Sequence, residues 1–129
     1  MTPDPTTVEP GTTAQEAARI MKSEDVGSLP VVEGGRLEGM VTDRDLAIRV
    51  LAEGASADTA VAGIASRNLA TIDPEQSLEE AARLMAEHQI RRLPVVEEDG
   101  KLVGILAQAD VAQTGNDSLT GDLVQQISK

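Results

Sequence analysis

The chain has 129 residues, 40% of them apolar, and 22 acidic against 11 basic side chains give a formal net charge of −11. That charge repels phosphate backbones, and the complete lack of Phe, Tyr and Trp removes the usual base-stacking platforms, so no nucleic-acid partner is expected. The lack of Cys excludes disulfides and thiolate chemistry, and one His (His88) makes no metal cluster; with no signal core or long apolar run, a cytoplasmic chain of about one domain with no membrane partner is expected.

In chain order, Thr6–Val8 reads as a short extended lead-in that ends at Pro10-Gly11. Thr13-x-x-Glu16 is a capping box, opening a helix with Ala14, Ala17, Ala18 and Met21 on one face. A Pro-Val-Val strand at 30–32 turns through Gly34-Gly35 into a strand over Leu37–Val41, and a second helix follows over Asp45–Ala52. Residues 54–67 are small and Ala-rich, with Asp58-Thr59 read as the cap of a short helix over 60–65.

Then the order recurs. Ala70-Thr71-Ile72 leads in, Ser77-x-x-Glu80 caps a helix carrying Leu78, Ala81, Ala82 and Met85, and a second Pro-Val-Val strand lies at 94–96. It turns at Asp99-Gly100 into Leu102–Leu106, and a helix over Asp110–Gln113 stops near Gly115. Beyond it, Leu123, Val124 and Ile127 fall at helical spacing behind Thr120, which predicts a docking helix that packs on the body or on a second subunit.

The recurrence is literal. Pro10-x₅-Glu16-Ala17-Ala18-Arg19-x-Met21 returns as Pro74-x₅-Glu80-Ala81-Ala82-Arg83-x-Met85, and Leu29-Pro30-Val31-Val32-Glu33 as Leu93-Pro94-Val95-Val96-Glu97. After one inserted residue, Leu37-x-Gly39-x₅-Asp45 returns as Leu102-x-Gly104-x₅-Asp110. Such a repeat predicts an α+β protein of two β-α-β-β-α units packed about a pseudo-twofold axis, with two related clefts. The divisions expected are 1–53 for the first repeat (its leading helix absent or truncated), 54–67 for a linker, 68–115 for the second repeat and 116–129 for the docking helix.

These units resemble the CBS domain, and the chain from about residue 2 to 115 resembles a tandem CBS pair, or Bateman module. The resemblance rests on the doubled Leu-Pro-Val-Val strands, the glycine of Gly39-Met40-Val41-Thr42-Asp43-Arg44-Asp45, and the helix patterns before them. It implies adenosine-containing ligands between the repeats, with AMP, ADP or ATP as a regulatory ligand and no obligatory cofactor. The family's signature of a Ser or Thr three residues before an Asp is met by Thr42 and Asp45, which would hold phosphate and ribose. The same spacing also fits a plain capping box.

Family members carry cleft-facing residues just before the Leu-Pro-Val-Val strand, and Arg91 and Arg92 match a phosphate-contacting His-Arg pair there. By the same resemblance Met40, Val41, Ala70, Thr71, Ile72 and Pro94 would wall the adenine, although core packing is the competing reading for Val41 and Ile72. The second cleft would collect Ala107, Asp110, Gly27 and Ser28, without hydroxyl or basic charge at the key places. One competent site is therefore expected.

The function expected is a regulatory nucleotide sensor, homodimeric by resemblance and acting on an effector protein in trans. A ligand-free dimeric scaffold is the alternative. No nucleophile–base pair or phosphate-binding Gly loop proposes an enzyme.

Overall fold

The computed structural model describes residues 2–3, 5–67 and 69–113. They form an α+β fold of small antiparallel sheets and short helices, divided into two compact units: Thr6–Leu69, and Ala70 onward together with Met1–Pro5. The two-residue strand β1 (Thr2–Pro3) thus opens the chain but belongs to the second unit.

In the first unit, helix α1 (Ala14–Glu24) is started by the Thr13 hydroxyl, which accepts the Glu16 N–H at 3.1 Å. Its buried face is Ala14, Ala17 and Met21. The chain then enters β2 (Ser28–Glu33), paired antiparallel with β3 (Arg36–Thr42) across the Gly34-Gly35 turn, where both glycines have positive φ. The Thr6–Val8 lead-in contributes one parallel bridge, Val8 to Val31.

The second unit repeats this down to its irregularities. Helix α3 (Leu78–His88) is capped by Ser77, and β4 (Arg92–Val96) pairs with β5 (Leu102–Ala107). Both hairpins slip register at the same place, between Val31 and Val32 and between Val95 and Val96. Ile72 bridges Val95 as Val8 bridges Val31. Each unit has its own aliphatic core, around Leu29, Val31 and Val41 in one and Leu93, Val95 and Val111 in the other.

The second strand of each hairpin is also flanked on its other edge. Met40 of β3 exchanges two backbone hydrogen bonds with Ser66, at 2.9 and 3.0 Å, in the first unit. In the second, β1 pairs with Ile105 and Gly104 of β5.

Three predicted elements differ. The second helix of repeat 1 begins at Asp43, as α2 (Asp43–Asp45), two residues before the expected Asp45, because Thr42 is its N-cap. It continues as a π-helix over Leu46–Leu51 rather than an α-helix to Ala52, with the Ala52 N–H reaching back to the Ala47 carbonyl at 2.9 Å. Val50 is buried and Leu46 packs on the core, while Leu51 is 78% exposed.

The helix expected over Asp110–Gln113 starts earlier too, as α4 (Gln108–Gln113), its first N–H bonded to the Arg91 carbonyl at 2.8 Å. In the linker only a 3₁₀ turn forms, Val61–Gly63, and its N-cap is Ala60 without a side-chain bond. Asp58 and Thr59 do not cap it because they close their own turn on Ser56. Gly115 and the docking helix predicted from 116 lie outside the described residues.

Both long helices end on a left-handed non-glycine residue, Asp25 at φ 55° and Gln89 at φ 54°. Asp tolerates that region through local hydrogen bonding; Gln does not. Gln89→Gly is therefore expected to stabilise the chain by about 0.5–1 kcal/mol, read as a rise in thermal midpoint, with a smaller gain for Asp25→Gly. An unchanged or lower midpoint for Gln89→Gly would show that the strain is relieved in some other way.

Candidate ligand-binding site

The repeat places the same backbone frame at the strand-to-helix corner of each unit, and different side chains on it. In the first unit Ser28 lies opposite Thr42, and the Asp43 N–H donates to the Gly27 carbonyl at 2.9 Å. In the second Arg92 lies opposite Ala107, and the Gln108 N–H donates to the Arg91 carbonyl at 2.8 Å. Gly27 thus matches Arg91, Ser28 matches Arg92, Thr42 matches Ala107 and Asp43 matches Gln108.

At the first corner Thr42 and Asp45 form a reciprocal capping box. The Thr42 hydroxyl accepts the Asp45 N–H at 3.0 Å, and Asp45 Oδ2 accepts the Thr42 N–H at 2.9 Å. The Asp45 side chain is only 16% exposed, and its Oδ1 sits 3.8 Å from Arg49 Nε. Arg49 escaped the sequence reading. Its signal was there, four residues after Asp45, the spacing at which an acid and a base meet on a helix. Gly27 is held against the Asp43 carboxylate, for a Cβ on it would lie 3.2 Å from Asp43 Oδ2.

At the second corner Arg91 and Arg92 are both exposed. Among the described residues neither makes an ion pair, and the nearby Glu87 is taken by Arg83 at 2.9 Å. Ala107 is half-buried, and Asp110 falls within α4. The two corners therefore carry different charged groups on one backbone design. Asp43 and Asp45 with their arginine neighbours mark the first, and two adjacent guanidinium groups mark the second.

The expected adenine wall divides by burial. Val41 is fully buried and Ile72 is 4% exposed, both within their units' cores, and Pro94 is buried as well. Their side chains serve packing, which was the competing reading for Val41 and Ile72. Met40 and Ala70 are half-buried and Thr71 is exposed, so these three keep surface for a ligand. Among the described residues no group of three or more His, Cys, Asp or Glu is placed to hold a metal, and no helix is long and apolar enough to cross a membrane.

The CBS domain model matches residues 1–52 and again 61–115. The chain is 48% identical over 130 residues to the CBS domain-containing protein YhcV of Bacillus subtilis (strain 168), covering 99% of this chain and 91% of that protein. Among solved structures, Hypoxic Response Protein I with two coordinated zinc ions superposes with a TM-score of 0.80 at 38% identity, over 88% of this chain and 94% of that one. The structure of CBSX2 in complex with AMP superposes with a TM-score of 0.78 at 31% identity, over 88% and 90% of the two chains. With two family matches falling on the two halves of its internal repeat, this chain belongs to the CBS-domain family, as a tandem pair.

Proposed function

We propose that the chain is a regulatory sensor of a phosphorylated adenosine, with one competent site per chain. In this reading Asp45 holds the ribose, Thr42, Arg91 and Arg92 hold phosphate, and Met40, Ala70 and Thr71 flank the adenine. The matching set of Gly27, Ser28, Ala107 and Asp110 lacks basic charge and has Ala107 where the other has the Thr42 hydroxyl, and stays empty. The sensor works as a homodimer on an effector protein in trans, by favouring one arrangement over another when occupied.

The observation that carries this reading is the asymmetry of the two corners. Backbone hydrogen bonds, register and bulges repeat, yet both arginines sit on one copy and the Thr-x-x-Asp cap on the other. The binding of AMP by CBSX2 supports the ligand class. Each hydrogen bond to a charged phosphate contributes about 1.5–3 kcal/mol, so the missing groups decide which site fills.

Asp45 also favours a second reading. Its carboxylate already caps its own helix and faces Arg49, a role that needs no ligand. The ligand-free scaffold rests on that double engagement.

Isothermal titration with AMP, ADP, ATP and S-adenosylmethionine separates the two readings. Asp45→Asn is the informative variant, because it keeps an oxygen for the Thr42 N–H while removing the charge. Saturable heat at about one site per chain, weakened roughly tenfold or more in Asp45→Asn, is expected for the sensor. No heat from any of the four with the wild-type chain folded would leave the scaffold.

A further inference from the structure

The second strand of each hairpin is edged in the same register. Met40 of β3 faces Ser66, and its counterpart Ile105 of β5 faces Thr2. Thr2 therefore stands in the second unit where Ser66 stands in the first. The residues that lead into Ser66 show what this fold accepts ahead of Thr2.

In the first unit the approach to Ser66 carries Val61 and Ile64. Val61 is fully buried and Ile64 is 4% exposed, packed with Val8, Ala14, Ala17, Val31 and Val41. Four backbone bonds lace this approach to the start of α1. The Val61 and Ala62 N–H groups donate to the Thr12 and Pro10 carbonyls at 2.8 and 3.1 Å. The Ala14 and Gln15 N–H groups donate to the Thr59 and Ala57 carbonyls at 2.8 and 3.0 Å.

The five core positions that receive Val61 and Ile64 have counterparts in the second unit: Ile72, Leu78, Ala81, Val95 and Leu106. All five line a cavity of about 160 Å³ there. Pro74 and Gln76, the counterparts of the lacing residues Pro10 and Thr12, line it as well. An apolar cavity of about 150 Å³ admits a group of benzene size, so a branched aliphatic side chain fits.

We propose that this cavity is the seat of an aliphatic segment that enters the fold in line with residue 1. Ile64 lies two residues before Ser66, and two residues before Thr2 is the place directly ahead of Met1. Val61 lies three residues further back. The first unit states the chemistry: a branched aliphatic side chain at each of those two places, and carbonyl groups behind them for the Leu78 and Glu79 N–H groups. A small apolar molecule would fill the cavity but leave the lacing positions unused. A second copy cannot lend its own 57–62 segment, because that segment is already bonded to its own α1.

The chain supplies the test segment itself. Residues 54–64, copied directly ahead of Met1, put Ile and Val at the two required places. The extended full chain is expected to melt about 3 °C or more above the unextended one. Amide exchange at Leu78 and Glu79 should slow about tenfold. Two control extensions should give neither effect. One carries Val61→Asp and Ile64→Asp in the copy, and the other has a single Gly added between the copy and Met1, which shifts the pair out of register. Equal midpoints and equal exchange for all three extended chains would overturn the proposal and leave the cavity to a small apolar ligand. So would protection that appears only at high protein concentration, which would mean that the copied segment crosses to a second molecule.

Discussion

Arg91→Ala combined with Arg92→Ala is expected to weaken binding of a phosphate-bearing adenosine by about a hundredfold or more, while adenosine itself loses little. The size follows from removing two charge-assisted hydrogen bonds at once. The selectivity follows because both guanidinium groups are exposed and, among the described residues, neither is in an ion pair. For the same reason the change is expected to leave the thermal midpoint nearly untouched, within about 0.5 kcal/mol of stability. Lysine at both positions should fall between, keeping the charge but losing the planar fork that matches phosphate oxygens. Titration calorimetry with AMP, ATP and adenosine, run beside thermal denaturation, decides it. Equal loss for adenosine and ATP, or no loss for either, would remove the arginines from the site.

The converse change shows why charge alone does not make a site. Gly27→Arg with Ser28→Arg would write the arginine pair into the first repeat, at the matching corner. There, however, the new side chain begins 3.2 Å from the Asp43 carboxylate, where the second repeat has the neutral Gln108. An arginine at 27 is thus drawn to Asp43 before any phosphate. The two corners differ as sets of residues.

Much of this was legible in the sequence because the repeat doubles every weak signal. One capping box or one Leu-Pro-Val-Val run decides little, but the same pair at matching spacing set helix, hairpin and corner in both units. Thr42 shows where reading by type stops. A Thr three residues before an Asp fits a helix cap and a ligand site equally well, and the capping box now seen does not exclude the second use.

The π-helix at Leu46–Leu51 was not legible, because Leu46-Ala47-Ile48-Arg49-Val50-Leu51 has no residue that favours an i to i−5 bond over i to i−4. The 3₁₀ turn at Val61–Gly63 falls short of the helix expected over 60–65. The segment enters bonded to Pro10, Thr12 and Thr13, and it leaves with the Ser66 N–H given to the Met40 carbonyl rather than to a helical turn.

The largest stability effect is expected at a residue with no side chain. A Cβ on Gly39 would lie 2.8 Å from the Ser66 carbonyl oxygen and 3.4 Å from Ala65 Cβ. The obstacle is backbone, and that backbone is pinned: Ser66 exchanges two hydrogen bonds with Met40, the neighbour of Gly39, at 2.9 and 3.0 Å. On its other side Gly39 pairs with Val31, a core residue 2% exposed, so the strand cannot retreat without disturbing the core.

Gly→Ala at an unstrained position ordinarily stabilises slightly, by limiting the unfolded chain. At Gly39 the sign should reverse, with Gly39→Ala costing about 1–3 kcal/mol and Gly39→Val more, as the Met40–Ser66 pair is stretched or broken. In a domain of this size that lowers the thermal midpoint by several degrees for Ala, on the scale of about 2–8 °C per kcal/mol. Gly11→Ala is the control, since nothing lies within 4 Å of a Cβ there. A Gly39→Ala midpoint as high as that of Gly11→Ala would mean that the Ala65–Ser66 segment gives way freely, and that the edge it forms along β3 contributes little to the fold.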